Sequence, residues 1–135
     1  MKFELTKKNI TLLELENFQN EIGVLLPESY KKHILKYNGG FPSDNLIITE
    51  EDEYIIDLFY SIKYGNNNIE KLIEVLKDNL PTNYFPFAES SGGNPFCIDL
   101  SSEKIYYCPM DMGEVIPEFV ADSFQDLLDG LHEQN

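Results

Sequence analysis

Apolar residues recur in this chain at two periods, and the change from one to the other divides it into helices and strands. Leu12, Leu15, Phe18 and Ile22 lie three or four residues apart and predict a helix that opens at Thr11. Thr11 and Glu14 have the spacing of a capping box, in which each side chain takes a backbone N–H left free at the helix start. Gly23 tolerates the left-handed conformation that ends a helix. A second helix is predicted to start with Pro27 at its first position, where no N–H is needed. It carries Tyr30, Ile34 and Tyr37 along one face and stops at Asn38-Gly39-Gly40.

The period then shortens to two. Leu46–Thr49 and Tyr54–Tyr64 are predicted as strands, the second with Ile56, Leu58, Tyr60 and Ile62 on one face. Glu50-Glu51-Asp52-Glu53 between them has the polarity of a solvated turn. Asn66-Asn67-Asn68 ends the strand and caps a third helix with the stripe Ile69, Leu72, Ile73 and Leu76. Further strands are predicted at Phe85–Ala88, Phe96–Leu100, Ile105–Cys108 and Glu118–Ala121. Ser123 caps a last helix, with Phe124, Leu127, Leu128 and Leu131 facing inward. Helices at both ends and hairpin-connected strands between them predict an α+β fold. Its sheet is mostly antiparallel, with helices packed on one face, a helix pair at the N-terminal end and a helix at the C-terminal end.

Length changes this picture little. The 135 residues match one domain spanning 1–135, large enough to fold without disulfides or metal. Charge changes it more. The net charge is −14, and every one of the ten basic residues is lysine. Residues 1–77 hold 13 acids and nine lysines, whereas residues 78–135 hold 11 acids and Lys104 alone. Such a surface repels phosphate backbones and anionic membranes. It serves either to keep the domain soluble or to steer a basic protein partner onto it, and it favours a monomer. The chain opens on no apolar leader and contains no run long enough to span a bilayer. With two cysteines in an unexported chain, a cytoplasmic, reducing location is expected.

Four segments carry a family resemblance. They are Ile22-Gly23-Val24-Leu25-Leu26-Pro27-Glu28-Ser29-Tyr30, then Asn38-Gly39-Gly40, then Phe87–Asp99 with its Ser90-Ser91-Gly92-Gly93-Asn94 turn, and Ala121–Leu128. In this order, over about Thr11 to Leu131, they resemble the SUKH superfamily of Smi/Knr-type domains. The resemblance implies protein binding. Many bacterial members are immunity proteins that neutralise a cognate polymorphic toxin, often a nuclease, and fungal members are cell-wall-assembly regulators. Two other readings stay open: a regulatory or scaffold interaction module, and a small-ligand-binding domain.

The residues offer little for catalysis, and no enzyme is expected. His33 falls among core-facing positions, and His132 lies near the chain end without a motif partner. No nucleophile elbow and no Cys–His pairing is legible. A pocket beside Asp99 and His33 would favour the small-ligand reading. The turn at Ser91–Asn94 has glycines suited to an anion nest but lacks a P-loop lysine. A hairpin symmetric about Ser102-Glu103 would place Leu100 opposite Ile105, Ile98 opposite Tyr107, and Cys97 opposite Cys108 as free thiols. No cofactor and no metal site is expected, since no further Cys or nearby His completes a zinc set. The candidate partner-binding residues are Glu50, Glu51, Asp52, Glu53, Asp111 and Glu114. Basic nucleases bind polyanions, and acids can occupy the same surface.

Overall fold

The computed structural model describes residues 1–111 and 113–134. Among the described residues three of the four helices begin where the predicted capping residues place them. Helix α1 (Leu12–Ile22) has both bonds of its capping box, Glu14 N–H to Thr11 Oγ1 at 3.1 Å and Thr11 N–H to Glu14 Oε1 at 3.0 Å. Gly23 ends it at φ 72°. Leu12 is exposed, and the buried face is Leu15, Phe18 and Gln19. Gln19 accepts the Leu26 N–H through its side chain at 2.8 Å and so fixes the approach to the next helix. Helix α2 (Glu28–Lys36) starts one residue later than predicted, with Pro27 as the extended cap, and turns Tyr30, His33 and Ile34 inward. Helix α3 (Ile69–Leu76) is capped by Asn68 and helix α4 (Phe124–Asp129) by Ser123. Leu131 is buried from beyond the end of α4.

The strands are β1 (Phe3–Glu4), β2 (Phe41–Pro42), β3 (Leu46–Ile48), β4 (Glu53–Ile55), β5 (Leu58–Phe59), β6 (Tyr84–Glu89), β7 (Pro95–Asp99), β8 (Ile105–Tyr107) and β9 (Glu118–Ala121). Strands β5-β6-β7-β8-β9 form an antiparallel five-stranded sheet in that order, while β1 pairs with β2 and β3 with β4. The fold is α+β.

The predicted strand Tyr54–Tyr64 is two strands. Ile56 donates its N–H to Asn45 O beside β3, and Asp57 donates to Glu89 O at the end of β6. The backbone therefore changes partner at Ile56–Asp57, and the alternation of Ile56, Leu58, Tyr60 and Ile62 does not describe one face. Phe59 and Ser61 are buried as well, because the chain at Gly39–Gly40 runs against them. Gly40 and Phe59 exchange backbone bonds of 3.0 and 2.9 Å. At Gly40, φ is +109° and a Cβ would stand 2.7 Å from Glu4 O. Gly40→Ala is expected to cost about 2 kcal/mol, from left-handed strain and from pushing β1 away. A lowered urea midpoint at unchanged slope checks this.

Strand register sorts the side chains of the main sheet into two faces. Phe85, Ile98 and Ile105 share one face, with Phe96 and Tyr107 further along it. Phe85 there meets Phe18 of α1 and Tyr30 of α2, and Tyr54 of β4 meets Phe96 and Tyr107. Pro86, Cys97, Tyr106 and Phe119 occupy the opposite face. On it Tyr84, Tyr106 and Phe119 form an aromatic row, with ring centroids 5.5 and 6.0 Å apart.

The β7–β8 hairpin closes one residue earlier than predicted. The Asp99 carboxylate accepts the Ser101 N–H and the Ser102 hydroxyl, each at 3.0 Å, and Glu103 takes φ 65°. These contacts make a four-residue turn from Leu100 to Glu103, with Asp99 N–H bonded to Lys104 O. Ile98 therefore faces Ile105, and Cys97 faces Tyr106 rather than Cys108. The two cysteines lie a diagonal step apart, buried and free. Burial first, and contact with Cys108 second, push the Cys97 thiol well above its ordinary range.

Candidate acidic cleft between two strand edges

A cleft of about 930 Å³ opens between the β3–β4 hairpin and strand β9. Its walls carry Ile48, Tyr54, Phe119 and Val120, and its rim carries Glu50, Glu51, Asp52 and Glu118. The hairpin turn is clamped by Thr49. Its N–H and hydroxyl both donate to Asp52 O, at 2.8 and 3.0 Å, and its oxygen accepts the Asp52 N–H at 3.0 Å. Glu50 and Glu51 are thereby held outward at the tip. None of the ion pairs among the described residues involves these acids, and Lys104 stands over the Phe119 ring with its Nζ 5.9 Å from the centroid.

Tyr54 links the two walls. Its hydroxyl donates to Glu118 Oε1 at 2.8 Å, from a ring only 8% exposed. Burial, and then the Glu118 carboxylate, raise the phenol above its ordinary pKa and keep it a donor. A second, smaller hollow of about 330 Å³ continues along the same strands past Ala121, Asp122, Asp126 and His132, again with Ile48, Phe119 and Val120 in its lining. Ile48 is 58% exposed and Phe119 48% exposed, and the two line the same recess beside the acidic rim.

Of the residues picked out from the sequence, Glu50, Glu51 and Asp52 line this cleft, and Glu53 stands exposed at the start of β4. Asp111 and Glu114 are exposed on the connection from β8 to β9 and are not among the described lining residues; Met112 between them lies outside the described residues. The sequence reading missed Glu118, Ile48 and Phe119. Glu118 begins a short strand, and nothing in its local pattern places it beside a turn more than 60 residues away.

The other candidates resolve into structural roles. His33 packs among Phe3, Phe59 and Phe124. It lines an open hollow with Ser29, Lys32 and Lys36, whereas Asp99 lies in the β7–β8 turn. His132 exchanges backbone bonds with Leu46 beyond α4. In the Ser90–Asn94 turn, Gly93 N–H bonds Ser90 O, and the Asn94 side chain holds Met110 N–H and the Tyr107 hydroxyl. That turn orders the connection after β8. Among the described residues no helix is long and apolar enough to cross a membrane.

A family model for the SMI1/KNR4 family (SUKH-1) matches residues 9–130. The chain belongs to this family. That span contains all four helices, β2 to β9 and the whole acidic cleft. The SPbeta prophage-derived uncharacterized protein YokK of Bacillus subtilis (strain 168) is similar to it, with 27% identity over 143 residues, covering 90% of this chain and 74% of that relative. This SUKH-1 domain carries its acids and exposed apolar side chains on a scaffold whose helix ends are set by capping residues and glycines.

Proposed function

We propose that this SUKH-1 domain is an immunity protein that binds a cognate toxin and neutralises it by occupying a basic surface. The observation that carries this reading is the pairing, in one cleft, of an acidic rim that makes no ion pair among the described residues with exposed Ile48 and Phe119. Charge of one sign around a recess steers an oppositely charged partner, and desolvated apolar and aromatic anchors then supply affinity. A nuclease toxin suits this chemistry, since its substrate-binding face must be basic to hold a polyanion. The sequence-wide charge of −14 adds to the steering and disfavours nucleic acid as the ligand.

The test begins with affinity purification from the source cells at low and at high salt, followed by affinity measurement on the captured protein. A basic partner whose association slows as salt rises is expected. The variant Glu50→Lys/Glu51→Lys/Asp52→Lys/Glu118→Lys should bind about 10- to 100-fold more weakly, mainly through a slower association rate. Unchanged affinity in that variant would overturn the cleft as the docking surface. Inhibition of the partner's activity by the wild-type domain, lost in the variant, separates neutralisation from mere binding.

A further inference from the structure

The two strands that border the cleft both present unpaired backbone edges towards it. In β3, Leu46 exchanges N–H and C=O bonds with His132 on the side away from β4. Residues two apart on a strand point their backbone groups the same way. The N–H and C=O of Ile48 therefore point away from β4 too. Thr49 N–H and Ile56 N–H bond across the hairpin to Asp52 O and Asn45 O, which is the alternation this requires.

The same reasoning applies to β9. Asp99 N–H bonds Lys104 O, and Cys108 N–H bonds Pro95 O, so Lys104, Tyr106 and Cys108 turn their backbone groups towards β7. Tyr106 faces Phe119 of β9. That pair is thus a non-hydrogen-bonded one, and Phe119 turns its N–H and C=O to the outer edge of the sheet. Among the described residues neither Ile48 nor Phe119 has a backbone partner on its free edge. Both residues line the cleft.

We propose that the cleft accepts one extended segment of the partner protein as an added β-strand, bonded to the edges at Ile48 and Phe119 and carrying lysine or arginine side chains towards Glu50, Glu51, Asp52 and Glu118. This deepens the docking reading above and rests on it. A strand seated there would join the β3–β4 pair to the five-stranded sheet. Alternate side chains of the segment would point in opposite directions, apolar ones towards Tyr54 and Val120 and basic ones towards the rim. A second copy of this chain is the wrong occupant, because it would bring its own acids against the same rim. Exposed edges flanked by charge also resist self-pairing, so the acids that attract a basic strand exclude an identical one.

The probe is a seven-residue peptide, acetyl-Lys-Val-Lys-Thr-Lys-Val-Lys-amide, together with the same peptide N-methylated at the three central non-lysine positions. N-methylation keeps every charge and removes the donors of one backbone edge. Backbone amide shifts of the ¹⁵N-labelled protein are followed during titration. The plain peptide is expected to move Ile48 and Phe119 and their neighbours, with affinity at least tenfold above that of the methylated form. Equal affinity of the two peptides at the cleft would overturn strand addition and leave charge docking standing. Shifts elsewhere on the protein, or none at millimolar peptide, would also overturn strand addition; the charge-reversal experiment on the captured partner then decides the docking reading independently.

Discussion

Replacing Asn38 by alanine is expected to destabilise the protein by about 3 kcal/mol, most of it from one stranded backbone N–H and the rest from two further lost hydrogen bonds. Asn38 is fully buried. Its amide donates to Lys8 O at 2.7 Å and to Ile62 O at 3.0 Å, and its oxygen accepts the Ile62 N–H at 2.8 Å. One side chain thus ties the segment before α1 to the end of α2 and to the chain after β5. Alanine would leave the Ile62 N–H buried without a partner, at about 1–3 kcal/mol, while the Ile62 C=O would keep the Tyr64 N–H at 2.8 Å and lose only its second donor. Asn38→Asp keeps the acceptor, loses the two donor bonds and buries a charge, so it should be no milder. Chemical denaturation of both variants checks this. A loss below about 1 kcal/mol for Asn38→Ala would mean that water or a backbone shift replaces all three bonds.

Acidification is expected to destabilise the protein through His33. Its ring is buried against Phe3, Phe59 and Phe124, and its Nε2 has no partner among the described residues. Burial first, and the Lys36 charge second, lower its pKa from 6.5 to about 4. Between those values the unfolded chain holds a proton that the folded one refuses. Stability from this group is full above pH 6.5 and is lost as pH falls towards 4, by about 3 kcal/mol in all. Glu14 acts in a lower window. Lys63, the Thr11 backbone and the Tyr64 hydroxyl hold its pKa near 2, so its contribution is full above pH 4.5 and fades below that. Acid also discharges the other carboxylates and relieves their mutual repulsion, so the comparison must be with a variant. His33→Phe fills the same aromatic niche without titrating. Its urea midpoint should fall less than that of the wild type between pH 7 and pH 4.5. Parallel profiles would show that His33 is already protonated or solvated in the folded state.

Asn38 and His33 also show where sequence reading succeeds and where it stops. Asn38 was legible as a helix terminator, because Asn-Gly-Gly is local backbone chemistry. Its three long-range bonds were not, because their partners are 24 and 30 residues away. His33 was legible as a core position from helical spacing alone. The Phe3 ring that covers it comes from a two-residue strand too short to leave a periodic trace.

The candidate site divides in the same way. The acidic tip Glu50–Glu53 was visible as a charge run, and it does line or adjoin the cleft. Asp111 and Glu114 had the same kind of signal but stand apart from the described lining. Composition cannot tell a charge at a recess from one on an open loop.

By itself, then, the sequence determined three of the four helix starts, the α+β class, the family and the acidity, since capping, periodicity, motif order and charge are properties of neighbouring residues. Only the tertiary structure decided the change of partner at Ile56–Asp57, the register of the β7–β8 hairpin and the meeting of β3 with β9 across a cleft. Each of those depends on which distant backbone takes up a hydrogen bond, and a chain of alternating apolar residues is compatible with several such partners until the whole core has closed.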